Sequence, residues 1–120
     1  MGLLKSIRLK VIGYTDEEIM GMMSSIKMSD DVLNQYKQCI KSNKYLDKRT
    51  LEIKLKRNVI VSKDVQVDRN GREKIVHYGN LTIILLQDEV IKVVNRFGKP
   101  NRRLNIDKKL KERINDLYWI

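Results

Sequence analysis

The stretch Val65-Gln66-Val67-Asp68-Arg69-Asn70-Gly71-Arg72-Glu73-Lys74-Ile75-Val76-His77-Tyr78-Gly79-Asn80-Leu81-Thr82-Ile83-Ile84-Leu85-Leu86 decides the fold. Val65 and Val67 alternate with polar residues, the period of a half-buried strand. Asn70-Gly71 then gives the strongest short hairpin signal, because both residues tolerate the positive φ of a type I′ turn. Lys74 to Tyr78 returns, Gly79-Asn80 permits a second turn, and Leu81 to Leu86 is apolar on both faces. Such a strand belongs in the middle of a sheet with cover on each side. Gln87-Asp88-Glu89 turns again into Val90 to Phe97, and Gly98-Lys99-Pro100 ends the run. The expectation is an antiparallel meander of about four strands, within residues 59–97.

Upstream the period is helical. Thr15 and Glu18 have the spacing of a capping box, and Ile19, Met22, Met23 and Ile26 share one helical face. Ser29 can cap a second helix, with Leu33, Tyr36 and Ile40 as its stripe and Asp30 and Asp31 placed well against the dipole. Asp47 can cap a third, in which Leu51 and Leu55 lead towards Val59 and the basic side chains point away. These helices are expected within 16–57. Residues 3–14 fit either a helix (Leu3, Ile7, Val11) or a strand (Ile7, Leu9, Val11). Downstream, Ile106, Leu110, Ile114 and Leu117 mark a helix over 107–118, whose stripe is expected to cover the second sheet face. The class is α+β: N-terminal helices, a four-stranded antiparallel meander and a C-terminal amphipathic helix, in one domain over 1–120.

Charge is segregated along this frame. The formal net charge is +10. Residues 44–63 carry seven basic side chains against Asp47 and Glu52, and residues 99–120 carry seven against Asp107, Glu112 and Asp116. Between them, residues 64–98 are neutral, five against five. Clustered Lys and Arg build a field that attracts polyanions, whereas scattered charge mostly confers solubility. The expected nucleic-acid contacts are Lys48, Arg49, Lys54, Arg57, Arg102, Arg103, Lys108 and Lys109. They would hold phosphates with little sequence discrimination. Aromatic interleaving is sparse, limited to Tyr45, Phe97, Tyr118 and Trp119 near the basic segments.

At 120 residues, 42% hydrophobic and 33% charged, the chain can bury a core and is not compositionally disordered. The Leu81–Leu86 run is far too short for a membrane span. Lys5, Arg8 and Lys10 interrupt any leader-like apolar segment, so the expected location is the cytoplasm. Met1-Gly2-Leu3-Leu4-Lys5-Ser6 does fit the loose myristoylation pattern. A single cysteine, Cys39, excludes an internal disulfide, and a single histidine, His77, excludes a zinc site of usual composition within one chain. No cofactor or metal is expected. Residues 66–71 superficially resemble a calcium loop, but Gln66 replaces the first carboxylate and His77 stands where the bidentate glutamate belongs. A Cys39–His77 nucleophile pair is formally open; a buried, inert cysteine is the commoner case.

The order of elements and three stretches resemble the RelE/barnase/EndoU-type superfamily of small metal-independent ribonucleases, many of them toxins, including short phage and bacterial proteins. The stretches are Ser29-Asp30-Asp31-Val32-Leu33-Asn34-Gln35-Tyr36, Gly79-Asn80-Leu81-Thr82-Ile83-Ile84 and Asp88-Glu89-Val90-Ile91-Lys92-Val93-Val94. They lie within residues 28–97. Asp31 stands at the family's early histidine and Gln35 at its arginine, so the resemblance implies the architecture more than the activity. Metal-free RNA cleavage needs an acid, a base and cations for the phosphorane. The candidates are His77, Lys74, Tyr78 and Arg96, with Arg72 or Lys92 in reserve. Strand parity sets Lys74 and Tyr78 opposite His77, and a binder on a ribonuclease-like architecture is the leading expectation. RNA is expected ahead of DNA as the partner. The alternatives are a toxin-like ribonuclease, or a phage-type regulatory protein that grips an acidic protein surface through Leu117-Tyr118-Trp119-Ile120.

Overall fold

A computed structural model describes residues 13–96 and 103–120. Residues 3–12, Phe97 and Arg102 lie outside the described residues. The fold is α+β, and its elements in chain order are α1 (Asp16–Ser25), β1 (Lys27–Met28), α2 (Asp30–Cys39), a 3₁₀ turn (Lys41–Tyr45), α3 (Lys48–Val61), β2 (Asp64–Val67), β3 (Glu73–Tyr78), β4 (Leu81–Leu86), β5 (Glu89–Asn95) and α4 (Lys108–Tyr118). Each helix starts where the sequence supplies a cap. Thr15 Oγ1 accepts from Glu18 N and the Glu18 carboxylate accepts from Thr15 N, both at 3.1 Å. Ser29, Asp47 and Asp107 accept from Val32, Thr50 and Leu110 in the same way.

The meander over β2–β5 is present, but the sheet is five-stranded and mixed, in the order β1-β5-β4-β3-β2. The additional strand, β1, pairs parallel with the start of β5. Ile26, expected on a helical face, is instead the extended residue that ends α1. Lys27 N donates to Asp88 O at 2.9 Å, so the β4–β5 turn is clamped to this short strand. Beyond β1, the outer edge of β5 is met by α2: Val93 N donates to Gln35 Oε1 at 3.0 Å, Val93 O accepts from Cys39 Sγ at 3.9 Å, and the Asn95 side chain donates to Cys39 O at 2.8 Å. An edge strand with paired backbone groups is protected from edge-to-edge association.

Two turns differ in an instructive way. Gly71 has φ +69 but Asn70 is not left-handed, which excludes the type I′ turn expected there. The Gly71 amide closes on Asp68 O at 3.1 Å and the Asp68 carboxylate accepts from Arg72 N at 2.9 Å, so aspartate organises a longer loop. Between β3 and β4 the loop is Gly79-Asn80, with positive φ at Gly79 alone, the type II′ pattern that suits strand twist.

Three further expectations are corrected by packing. First, α3 does not stop near residue 57 but continues to Val61. The β-branched run Val59-Ile60-Val61 reads as strand in isolation, yet here both sides of the helix are buried, and tertiary burial outweighs propensity. Leu51 and Leu55 join one cluster with α2 and the sheet, around Tyr36, Ile83, Val90 and Val93. Ile53 and Val61 join a second cluster with Ile19, Met23, Ile106, Leu110 and Ile114. Second, α4 packs on α1 and α3 and does not cover the far sheet face, where Leu86 and Val94 stay exposed. Third, the basic side chains of α3 do not all point away: Arg57 lies in the Ile53–Val61 row and is buried.

After α4 the chain turns through Trp119, at φ 60, ψ 45, with the amides of Trp119 and Ile120 donating to Asn115 O. That turn returns Ile120 to the second cluster while the indole is 92% exposed. The left-handed region costs an L-residue roughly 1–2 kcal/mol and is the usual province of glycine. Trp119→Gly should therefore stabilise the fold by about 1 kcal/mol, and Leu55→Ala, at a fully buried position, should destabilise it by about 3 kcal/mol. Urea denaturation followed by circular dichroism measures both; a less stable Trp119→Gly protein would mean that the indole is held by packing.

Candidate anion site between two helices

Ten of the described cations, all on or next to α3 and α4, fall into three groups. Some are neutralised: Lys48 Nζ lies 2.6 Å from Asp30, Lys56 Nζ 3.2 Å from Glu52, and Arg113 binds Asp16 at 2.6 Å and the Tyr14 carbonyl. Others, Arg49 on α3, Lys108 and Lys109 on α4 and Arg103 in the segment before α4, are exposed. The third group converges on the seam between α3 and α4.

Arg57 is the centre of that seam, with only 7% of its surface exposed. Its Nε and Nη2 donate to Asn58 Oδ1 at 3.1 and 2.9 Å, and Nη1 donates to Asn115 Oδ1 on α4 at 2.9 Å. Asn58 Nδ2 in turn donates to the Tyr36 hydroxyl at 3.2 Å. Asn43 Nδ2 donates to Tyr36 O at 3.3 Å, and Lys54 Nζ donates to Asn43 Oδ1 at 3.5 Å. Lys111, one turn before Asn115 on α4, sits 5.5 Å from the centre of the Tyr78 ring. Burial and the nearby charges of Arg57 and Lys111 hold the Lys54 ammonium below its ordinary pKa of 10.5. Burial also raises the Tyr36 hydroxyl above 10.0, against the opposing pull of Asn43 and Arg57.

Among the described residues, none of Lys54, Arg57 and Lys111 forms an ion pair. Buried charges are ordinarily paired with an opposite charge, because desolvation is expensive. Arg57 is met by neutral amides, and these occupy three of the five N–H donors of its guanidinium. Two N–H donors of the guanidinium are left over, and Lys54 and Lys111 add positive charge nearby.

The expected catalytic set does not assemble. The sheet register places Asp64 and Thr82 directly beside His77 on one face, and Thr82 Oγ1 lies 3.4 Å from His77 Nδ1. Lys74 and Tyr78 occupy the other face, Tyr78 against the helices. Arg96 follows β5, its amide closing on Asn80 O at 3.0 Å. Cys39 lies beside Val93 on the helix side, its thiol pKa pushed up by burial, and so is not paired with His77. Among the described residues no three His, Cys, Asp or Glu side chains are grouped to hold a metal, and no helix is long and apolar enough to cross a membrane.

Of the expected contacts, only Lys54 and Arg57 belong to the seam; Tyr36, Asn43, Asn58, Lys111 and Asn115 were not expected in it. The signal for the seam is a charge inside an apolar row, Ile53-Arg57-Val61 at four-residue spacing, and Lys111 with Asn115 at the same spacing. Because Lys54 is protonated at a cost in the folded state, folding stability should rise with pH between its lowered pKa and 10.5, as the unfolded chain then holds the extra proton. Thermal melts should show that rise in the wild type relative to Lys54→Met, and Lys54→Met should melt higher at pH 7. A lower melting temperature would show that Lys54 stabilises the fold.

No curated protein and no solved structure matches the chain. The family model YorE matches residues 26–117, from the end of α1 through nearly all of α4. That stretch contains Lys54, Arg57, Asn58, Lys111 and Asn115, and on a match covering most of its length the chain belongs to the YorE family.

Proposed function

We propose that this protein binds nucleic acid, RNA ahead of DNA, through the helical side centred on the α3–α4 seam, and that it does so without cleaving the strand. One observation carries the reading: Lys54, Arg57 and Lys111 converge without a carboxylate to neutralise them. A phosphodiester supplies the missing charge and accepts from guanidinium and ammonium together. Arg49, Arg103, Lys108 and Lys109, on or just before the same two helices, add exposed positive charge suited to tracking a backbone at low specificity. The preference for RNA rests on the ribonuclease-like architecture that the sequence resembles. A phage-type small protein acting in the cytoplasm fits this reading. Binding an acidic protein surface is the weaker reading, since a recessed cation site matches a phosphate better than a side-chain carboxylate on a folded surface.

A metal-independent ribonuclease is second, favoured by Asp64 and Thr82 flanking His77 in the register. The separation of His77 from Lys74 and Tyr78 by the sheet counts against it. Fluorescence anisotropy of a labelled RNA should give an affinity that falls steeply with salt. The Lys54→Ala/Lys111→Ala double variant should bind about tenfold more weakly, with a salt slope reduced by about 2. His77→Ala should bind as the wild type does, and the RNA should remain intact throughout. Affinity indifferent to the double substitution would refute the seam as the anchor, and cleavage lost in His77→Ala would establish the ribonuclease instead.

A further inference from the structure

We propose that the ligand of this seam is a single strand, one of whose phosphates enters between Lys54, Arg57 and Lys111 while Trp119 and Tyr45 stack its unpaired bases; the inference rests on the nucleic-acid reading above. Recess is the first ground. Arg57 as a whole residue is only 7% exposed, and its guanidinium is held by Asn58 and Asn115. Phosphates on the convex surface of a duplex reach protruding side chains but cannot descend to a group at that depth. A flexible strand can turn one phosphate inward while its neighbours follow the exposed cations of α4.

The aromatic side chains are the second ground. Tyr45 and Trp119, 87% and 92% exposed, are the two most exposed large hydrophobic residues described. Both belong to the segments that hold the cations. Tyr45 ends the 3₁₀ turn, two residues after the Asn43 that binds Lys54. Trp119 lies one helical turn beyond the Asn115 that binds Arg57. Lys44 Nζ sits 5.7 Å from the centre of the Tyr45 ring, so a cation accompanies this platform as well. Alternating exposed rings and cations is the arrangement by which single strands are held without sequence preference.

The backbone is the third. Trp119 occupies the left-handed region, where glycine would be the easier residue, and its indole receives almost no burial in return. A bulky residue held against its conformational preference without packing is a mark of function. Neither ring is needed for the hydrophobic clusters, so both are free to receive bases.

Trp119 is the only tryptophan in the chain, and its emission therefore reports on this site alone. The full chain should be titrated at low salt with polyuridylate and, separately, with a blunt RNA duplex. The single strand should quench the emission saturably and bind at least about tenfold more tightly than the duplex, which should leave the emission nearly unchanged. By anisotropy, Trp119→Ala and Tyr45→Ala should each weaken single-strand binding about tenfold and leave duplex binding unaltered. Both positions are exposed, and an unchanged circular dichroism spectrum confirms the fold of each variant. Binding without quenching, equal affinity for the two ligands, or variants that bind polyuridylate as the wild type does would overturn the single-strand inference and leave nucleic-acid binding standing. Failure to bind either ligand would overturn both.

Discussion

Arg57 donates to Asn58 and to Asn115 from within a seam bounded by two hydrophobic clusters, and the surrounding structure is arranged around those hydrogen bonds. α3 is the element shared by the two clusters. One side contributes Leu51 and Leu55 to the sheet cluster and another contributes Ile53 and Val61 to the cluster with α1 and α4. A helix buried on two sides needs some polar device to set the rotation and spacing of its neighbours, because apolar contact alone is weakly directional. Here Asn58 reaches Tyr36 on α2, and Arg57 reaches Asn115 on α4. The amides take three of the five guanidinium donors without cancelling its charge, which leaves the seam positive.

That residual charge links the fold to the proposed activity. An Arg–carboxylate pair in the same place would also have satisfied hydrogen bonding, but it would have removed the attraction for an anion. Burial of Lys54, and after it the charges of Arg57 and Lys111, make its protonated form costly, as its lowered pKa expresses. A site kept at some cost to folding stability is what a binding function requires. The opposite face of the sheet, with Ile75, His77 and Ile84, has the register of a site and holds Lys92 opposite Ile84, but Lys74 and Tyr78 lie on the other face.

Much of the fold was legible because its signals are local. The four strands β2–β5 follow from alternation and turn residues, and the helix starts follow from Thr15, Ser29, Asp47 and Asp107, whose caps act over three residues. β1 was not legible, since two residues carry no period and the strand exists through pairing with the distant start of β5. The end of α3 was misread because Val59-Ile60-Val61 has strand propensity, and only the second cluster keeps it helical. The turn at Asn70-Gly71 was misread because the Asp68 carboxylate selects a different loop. The site was legible as charge and not as geometry. Counting Lys and Arg found the two basic segments, but counting cannot distinguish Lys48, paired with Asp30, from Lys54, which has no acid beside it. The four-residue spacing of Lys111 and Asn115 puts them on one face of α4, but that this face meets Arg57 follows only from α4 packing on α3.

Chemical-shift mapping of the isotopically labelled protein with a short single-stranded RNA locates the interface directly. The account predicts that the largest shifts fall on Asn43, Lys54, Arg57, Lys111 and Asn115, including the guanidinium and ammonium protons, while Ile75, His77, Thr82 and Ile84 stay in place. Shifts concentrated on that sheet face, with the α3–α4 seam silent, would contradict it.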